Sequence, residues 1–337
     1  MPSSFRTLVE WTSFGTELNP LKRWNPFRPL ICWYSARIVD TYIHTELEKR
    51  FAEHIASQSD GSAGDNTRSN RVKSVVALAL ENYIAEYQAT KDEILHCKSL
   101  DPVFKKAATA QLRLFMIAGH DTTSSTMAYT YYLLYSNPEC LLRIRDEHDS
   151  VFGTDISKAG QLLTKDPSLL NRLPYTTAVM KETLRLYPPA SSMRIGGIDT
   201  VLTDEDGQQY PTANCNIWAL HLAIHRNPEF WPQADKFIPD RWLVGPDDTL
   251  YPVKGGWRPF EFGPRNCIGQ TLATTEIKVL LALTVREFDI SHAYDEWDKL
   301  YPSGGIKTAM GDRAYQVEGG GGGSHPANKF PCRIVVR

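Results

Sequence analysis

No two of the six cysteines form a C-x-x-C pair. They fall at 32, 97, 140, 215, 267 and 332, a scatter that argues against both a zinc ribbon and a disulfide framework and leaves reduced, intracellular thiols as the expectation. Neither sign of charge is in excess: 37 basic and 39 acidic residues give −2, so the overall balance points neither to nucleic acid nor to an acidic surface. No hydrophobic run approaches the length of a membrane span. The opening MPSSFRTLVEWTSFG has neither the basic nor the apolar region of a secretory signal. There is no internal repeat, and low complexity is confined to GGGGGS at 319–324.

What remains is a chain of 337 residues, 42% hydrophobic and 11% aromatic, able to bury a sizeable core as one large domain or two ordinary ones. Tyr34, Ile38, Tyr42, Ile43, Leu47, Phe51 and Ile55 recur at three- and four-residue steps, which predicts an amphipathic helix from Trp33 to Ile55. A polar loop follows over 57–70. Further helices are expected over Val72–Tyr87, from about Phe104 to Ser136, at 138–150 where Pro138 opens a new one, and at 174–187. Between 195 and 217, β-branched residues separated by Gly, Asp and Pro predict short hairpin strands. Helix resumes after Cys267 over Ile268–Phe288, and Arg313–Val317 and Arg333–Val336 look like strands. The class is mainly α with small β-sheets (α+β).

Cys267 sits among residues that a small buried hydrophobe does not need. Phe260, Gly263, Arg265, Cys267 and Gly269 fill F-x-x-G-x-R-x-C-x-G, five fixed positions that chance would supply in a chain this long roughly once in ten thousand. The spacing resembles the haem-binding loop of the cytochrome P-450 family. In that family the cysteine thiolate is the axial ligand of a heme b iron and donates electron density that favours O–O cleavage. Such a thiolate has to be stabilised by its neighbours. By resemblance, Gly263 and Gly269 let N–H groups approach the sulfur, the following helix adds its positive end, Arg265 reaches a haem propionate, and Phe260 limits water beside the thiolate.

Two more stretches carry the same resemblance. LFMIAGHDTTSS places a glycine and an acid inside an apolar helix, where both are unfavourable. Ala118, Gly119, Asp121, Thr122 and Thr123 match [AG]-G-x-[DE]-T-[TS], the family's distal helix. The resemblance assigns Ala118 and Gly119 to the haem face, with Gly119 opening space for dioxygen, and makes Asp121 and Thr122 the catalytic pair managing water and protons. In KETLRLYPP, Glu182 and Arg185 lie three apart on one helix face and match E-x-x-R. FIPDRW supplies Pro239, Arg241 and Trp242 as the later P-x-R-[FW] segment. Glu182, Arg185 and Arg241 are then a structural network, and Arg194, downstream of Pro188 and Pro189, is a further propionate ligand.

His221 and His225 form H-x-x-x-H, but Leu222 stands where a metalloprotease zinc site requires glutamate. His120, at the variable position of the distal motif, reads as a packed helix residue rather than an iron ligand. The resemblance runs from about residue 30 to the end and implies a single cytochrome P-450 domain over 1–337. Full-length relatives begin with a membrane anchor of the endoplasmic reticulum and several more helices, so the expectation is the C-terminal two thirds of the family fold, without that anchor and those first helices. The implied function is a haem-thiolate monooxygenase inserting one oxygen atom of dioxygen into an apolar organic substrate. Its electrons would come from an NADPH-cytochrome P-450 reductase, in an intracellular and fungal setting of secondary metabolism. The alternative is a haem-binding remnant without turnover. A non-oxygenating isomerase or dehydratase fits less well because Asp121 and Thr122 are retained.

Overall fold

Proline fixes φ and lacks an N–H, so it fits the first turn of a helix, where that N–H would have no partner. This chain uses it repeatedly. In the computed structural model, which describes residues 2–11, 24–59, 76, 78, 80, 82, 83, 99–302, 308, 311–315 and 324–337, proline lies in the first turn of four main helices. These are α2 (Arg28–Ser59), α3 (Pro102–Ser136), α4 (Pro138–Phe152) and α6 (Pro174–Leu186). Around them lie α1 (Pro2–Trp11), α5 (Ala159–Lys165), α7 (His221–His225), α8 (Gln270–Thr284) and α9 (Tyr294–Leu300). The strands are β1 (Ser192–Ile195), β2 (Val201–Thr203), β3 (Gln209–Pro211), β4 (Asn216–Ala219), β5 (Phe288–His292) and β6 (Cys332–Val336). They form three antiparallel pairs, β1–β4, β2–β3 and β5–β6. The architecture is the mainly α, small-sheet class read from the sequence.

Among the described residues the chain divides into two compact units, one up to Ala118 and the other from Gly119 onward. In the first, Phe5 and Leu8 of α1 pack with Val39, Ile43, Leu47 and Phe51 of α2 and with Leu100 and Ala108. The buried face of α2 keeps Ile43, Leu47 and Phe51 of the sequence stripe, but Tyr34 and Tyr42 are exposed and Val39 takes the buried place one turn before Ile43. Arg113 pairs with Asp40 at 3.4 Å.

In the second unit the core is built where α3, α4, α6 and α8 meet: Tyr131 and Leu134, Cys140 and Ile144, Val179 and Met180, Ile277 and Leu281. A second cluster is tyrosine-rich. Tyr129 stacks on Tyr187 at 4.1 Å between ring centres, and Tyr132 and Tyr187 both donate to the Asp312 carboxylate. Burial and that carboxylate push both phenols above their ordinary range.

Several boundaries differ from the sequence reading. Helix α2 is longer at both ends than Trp33–Ile55, because Pro29 starts it earlier and nothing in residues 56–59 breaks it. The helix after Cys267 stops at Thr284, and Phe288 belongs to β5, whose partner is the C-terminal strand. Short apolar runs read alike in the two states until their cross-strand partner is known. At Arg313–Val317 the described part makes a single bridge, Tyr315 to Pro326, rather than a strand. Helix α1 went unpredicted. Most of the Val72–Tyr87 helix, most of the 57–70 loop and the glycines at 319–323 lie outside the described residues. Among the described residues no helix is long and apolar enough to cross a membrane.

Candidate functional site

Cys267 ends a turn-rich loop just before α8. Gly263 holds φ at +85°, a conformation that costs a residue with a Cβ. Asn266 N–H donates to the Gly263 carbonyl at 3.1 Å, and Cys267 N–H donates to the Phe260 carbonyl at 2.8 Å. Gly269 is the N-cap residue of α8. A Cβ on it would come within 3.7 Å of Cys267 Sγ, so the glycine leaves that side of the sulfur open. Residues 262–268 are all exposed, Cys267 and Arg265 included. Beside the thiol lie large uncovered apolar side chains: Phe262 is 69% and Ile268 88% exposed, and Leu272 on the first turn of α8 is uncovered too. Phe260 is half-buried, edge-on to Trp257 at 6.0 Å.

This donor set suits haem. It offers one thiol, an exposed apolar surround for the flat ring, and an arginine two residues away for an anionic edge. A metal held by a cluster of ligands has no counterpart: among the described residues no three His, Cys, Asp or Glu side chains converge on a metal site.

Behind the loop lies the acid of KETLRLYPP. Glu182 Oε1 accepts from Arg185 Nη2 (2.8 Å), Arg241 Nε (3.0 Å) and Ile238 N–H (3.0 Å), and Oε2 from Arg185 Nε and Trp242 Nε1, both at 3.0 Å. All three charged side chains are fully buried. Arg185 Nη1 also donates to the carbonyls of His225 and Ala234. A surface i,i+3 pair contributes little; here the acid is fully saturated, the condition under which buried charge is tolerated. The network fastens α6 to the Pro239–Trp242 turn.

His221 and His225 serve neighbouring groups. His225 Nε2 accepts from Arg258 N–H at 2.8 Å, so its proton is on Nδ1 and the ring is neutral. Burial first, then His221 and Arg185, push it down to about 3. His221 Nδ1 faces the Ala190 carbonyl at 2.9 Å and its Nε2 lies 3.4 Å from Glu261.

On α3, Gly119 is exposed and a Cβ there would meet nothing within 4 Å. Ala118 and His120 are exposed and Thr122 is half-buried. Asp121 Oδ1 lies 2.8 Å from His325 Nε2, and Ser125 donates to the Ser324 carbonyl. Gly119, His120, Thr123 and Ser124 line an apolar cavity of about 550 Å³ together with Met127, Leu280 and Phe288. Arg194 is exposed on β1, opposite Ile217 of β4, and its guanidinium touches the Met193 carbonyl.

The motifs did not single out Glu261, which stands at an open position of F-x-x-G-x-R-x-C-x-G, nor Arg258, Ser192 or His325, which lie outside them. An acid at 261 in an otherwise apolar stretch was the available signal.

A mainly α chain with an exposed loop cysteine at a helix start, backed by a saturated Glu–Arg–Arg cluster, has the architecture of haem-thiolate proteins. Residues 26–317 match the family model described as Cytochrome P-450, and the chain belongs to the cytochrome P-450 family. It is 43% identical over 330 residues to cytochrome P-450 monooxygenase polC of Polytolypa hystricis, covering 97% of this chain and 56% of that protein. It is 34% identical to cytochrome P-450 monooxygenase acrF of Aspergillus aculeatus, covering 93% and 63%. The solved cytochrome P-450DA heme domain superposes with a TM-score of 0.63 at 20% identity, covering 100% of this chain and 60% of that one. The chain thus spans somewhat under two thirds of the length of these relatives.

Proposed function

We propose that this chain carries the haem-thiolate site of a monooxygenase that places one oxygen atom of dioxygen in an apolar organic molecule and reduces the other to water. The two electrons would come from an NADPH-cytochrome P-450 reductase. The haem, as heme b, would supply dioxygen binding and O–O cleavage. Cys267 would hold the iron as a thiolate, and Phe260 and the apolar loop side chains would keep water from it. Arg265 and Arg194 would pair with the propionates. On α3, Thr122 and the Asp121 carboxylate, with His325 beside it, would hold and pass protons, and Ala118 and Gly119 would face the ring. The Glu182, Arg185 and Arg241 cluster would hold the ligand loop. Intracellular residence, fungal secondary metabolism and one cytochrome P-450 domain across the chain belong to the same reading.

The observation that carries it is Cys267: a thiol left open by Gly269, its own amide pinned to Phe260, flanked by uncovered apolar side chains. The same exposure favours a second reading, haem binding without turnover. To decide, the hemin-loaded chain would be given the reductase, NADPH, ¹⁸O₂ and a panel of apolar compounds. Products carrying a single ¹⁸O atom are expected. Stoichiometric hemin with no labelled product would select the second reading.

A further inference from the structure

Glu261 is the residue of the ligand loop that the family pattern does not explain. Its backbone lies in the left-handed region, φ +62°, which is unfavourable for a residue with a side chain. Such a conformation persists where surrounding contacts impose it. Here they come from three directions. Arg258, in the same loop, donates from Nε to Glu261 Oε1 at 3.0 Å. Ser192, on β1, donates its hydroxyl to Oε2. His221, on α7, brings Nε2 to 3.4 Å from Oε2 while its other ring nitrogen is held by Ala190. The carboxylate side chain is only 10% exposed. Burial alone would raise its pKa, but Arg258 and His221 outweigh it and hold the carboxyl below its ordinary value.

The preceding residue is Phe260, whose carbonyl accepts the Cys267 N–H. The peptide that the Glu261 turn orients therefore carries the acceptor fixing the amide of Cys267. The anchor also continues inward. Arg258 N–H donates to His225 Nε2, and the His225 carbonyl accepts from Arg185 Nη1, which belongs to the Glu182 cluster. An unbroken series of hydrogen bonds joins the buried Glu182 to the loop that presents the thiol.

We propose that Glu261 is a positioning residue for Cys267: by accepting from Arg258 and Ser192, with His221 packed beside it, it fixes the left-handed turn that offers the Phe260 carbonyl to the Cys267 N–H, and so sets where Sγ points. The consequence for haem rests on the reading above, that Cys267 is the iron ligand. The fixing of the amide does not. A carboxylate suits this role because it accepts on both oxygens and pairs with a guanidinium. Glutamine keeps the length but loses the charge, and alanine loses every contact.

The test uses the whole 337-residue chain with Glu261→Gln, Glu261→Ala and Ser192→Ala, and has two arms. Without haem, hydrogen exchange of the Cys267 amide is read with residue resolution. Exchange about tenfold faster is expected in Glu261→Ala, with a smaller rise of the same sign in the other two, while the Ile238 amide bound to Glu182 keeps its rate. With hemin bound, reduced and exposed to carbon monoxide, the share of the thiolate-type Soret band should fall by more than about half in Glu261→Ala and be partly rescued in Glu261→Gln. A Cys267 exchange rate within about twofold of the parent's in Glu261→Ala overturns the proposal. Should that variant not fold, unchanged exchange in both Glu261→Gln and Ser192→Ala overturns it equally. A parent chain with no thiolate band would refute the ligand reading instead, and the haem-free arm would then decide the role of Glu261.

Discussion

At the scale of single residues, the energetics are dominated by a few buried charges and rings. Glu182 pairs with two fully buried arginines. Glu182→Ala would leave both uncompensated, a change that costs about 3–5 kcal/mol. The expected result is a large drop in the urea midpoint or loss of soluble protein, and a midpoint within error of the parent's would contradict the account of this cluster. The histidines make a second prediction. Burial, then Arg286, pushes His148 down to about 4, and His225 stands at about 3. Both are neutral in the folded chain and accept protons near pH 6.5 when unfolded. The unfolded state therefore binds more protons below that pH, and stability falls as pH drops through 6.5, by up to about 1.4 kcal/mol per unit for each ring. Between pH 6.5 and 5, before most carboxylates titrate, urea midpoints should decline, and His148→Asn should make the decline shallower. A flat profile in the parent would show that these rings are not held neutral.

Among elements, the part of α3 from Gly119 onward gives Tyr131 and Leu134 to the core of the second unit, and Gly119 is the helix position of lowest propensity in it. Because a Cβ at 119 meets nothing within 4 Å, Gly119→Ala in the haem-free chain should raise stability by about 0.5–1 kcal/mol through helix propensity and a less flexible unfolded state. Thermal unfolding reads this directly, and destabilisation would mean that the space is filled. Elements with strong periodicity were legible in the sequence. Ile43, Leu47 and Phe51 mark the buried face of α2, although Tyr34 and Tyr42 of the same sequence stripe are exposed, and Pro138 and Pro174 mark the starts of α4 and α6. Strand β5 was not, because Val285 and Phe288 keep the helical spacing from Leu281 in α8 and only pairing with Cys332–Val336 tells the two apart. At the candidate site, spacing singled out Cys267, Arg265 and Glu182. It gave no reason to bring Glu261, Ser192 and His221 together, because they come from three separate segments and meet only in the fold. The H-x-x-x-H pair shows the same limit: Leu222 already spoke against a zinc site, and the role of the rings became clear only from Arg258 N–H and the Ala190 carbonyl facing them.

For the whole molecule, family membership and the exposed ligand loop lead to one central claim, that Cys267 binds haem iron as a thiolate. Five cysteines lie among the described residues, and none is in a disulfide. Cys215 and Cys332 are exposed as Cys267 is, so exposure by itself does not select a ligand. What distinguishes Cys267 is its place at the start of α8, with its amide tied to Phe260 and its sulfur open beside Gly269. The most direct measurement is the absorption spectrum of the hemin-loaded, reduced, carbon monoxide-bound chain, compared with Cys267→His and with each other cysteine changed to serine in turn. The red-shifted Soret band of thiolate ligation is expected in the parent and in every serine variant, including Cys215→Ser and Cys332→Ser, and its loss in Cys267→His. A thiolate band that survives in Cys267→His, or that disappears when a different cysteine is replaced, would contradict that claim.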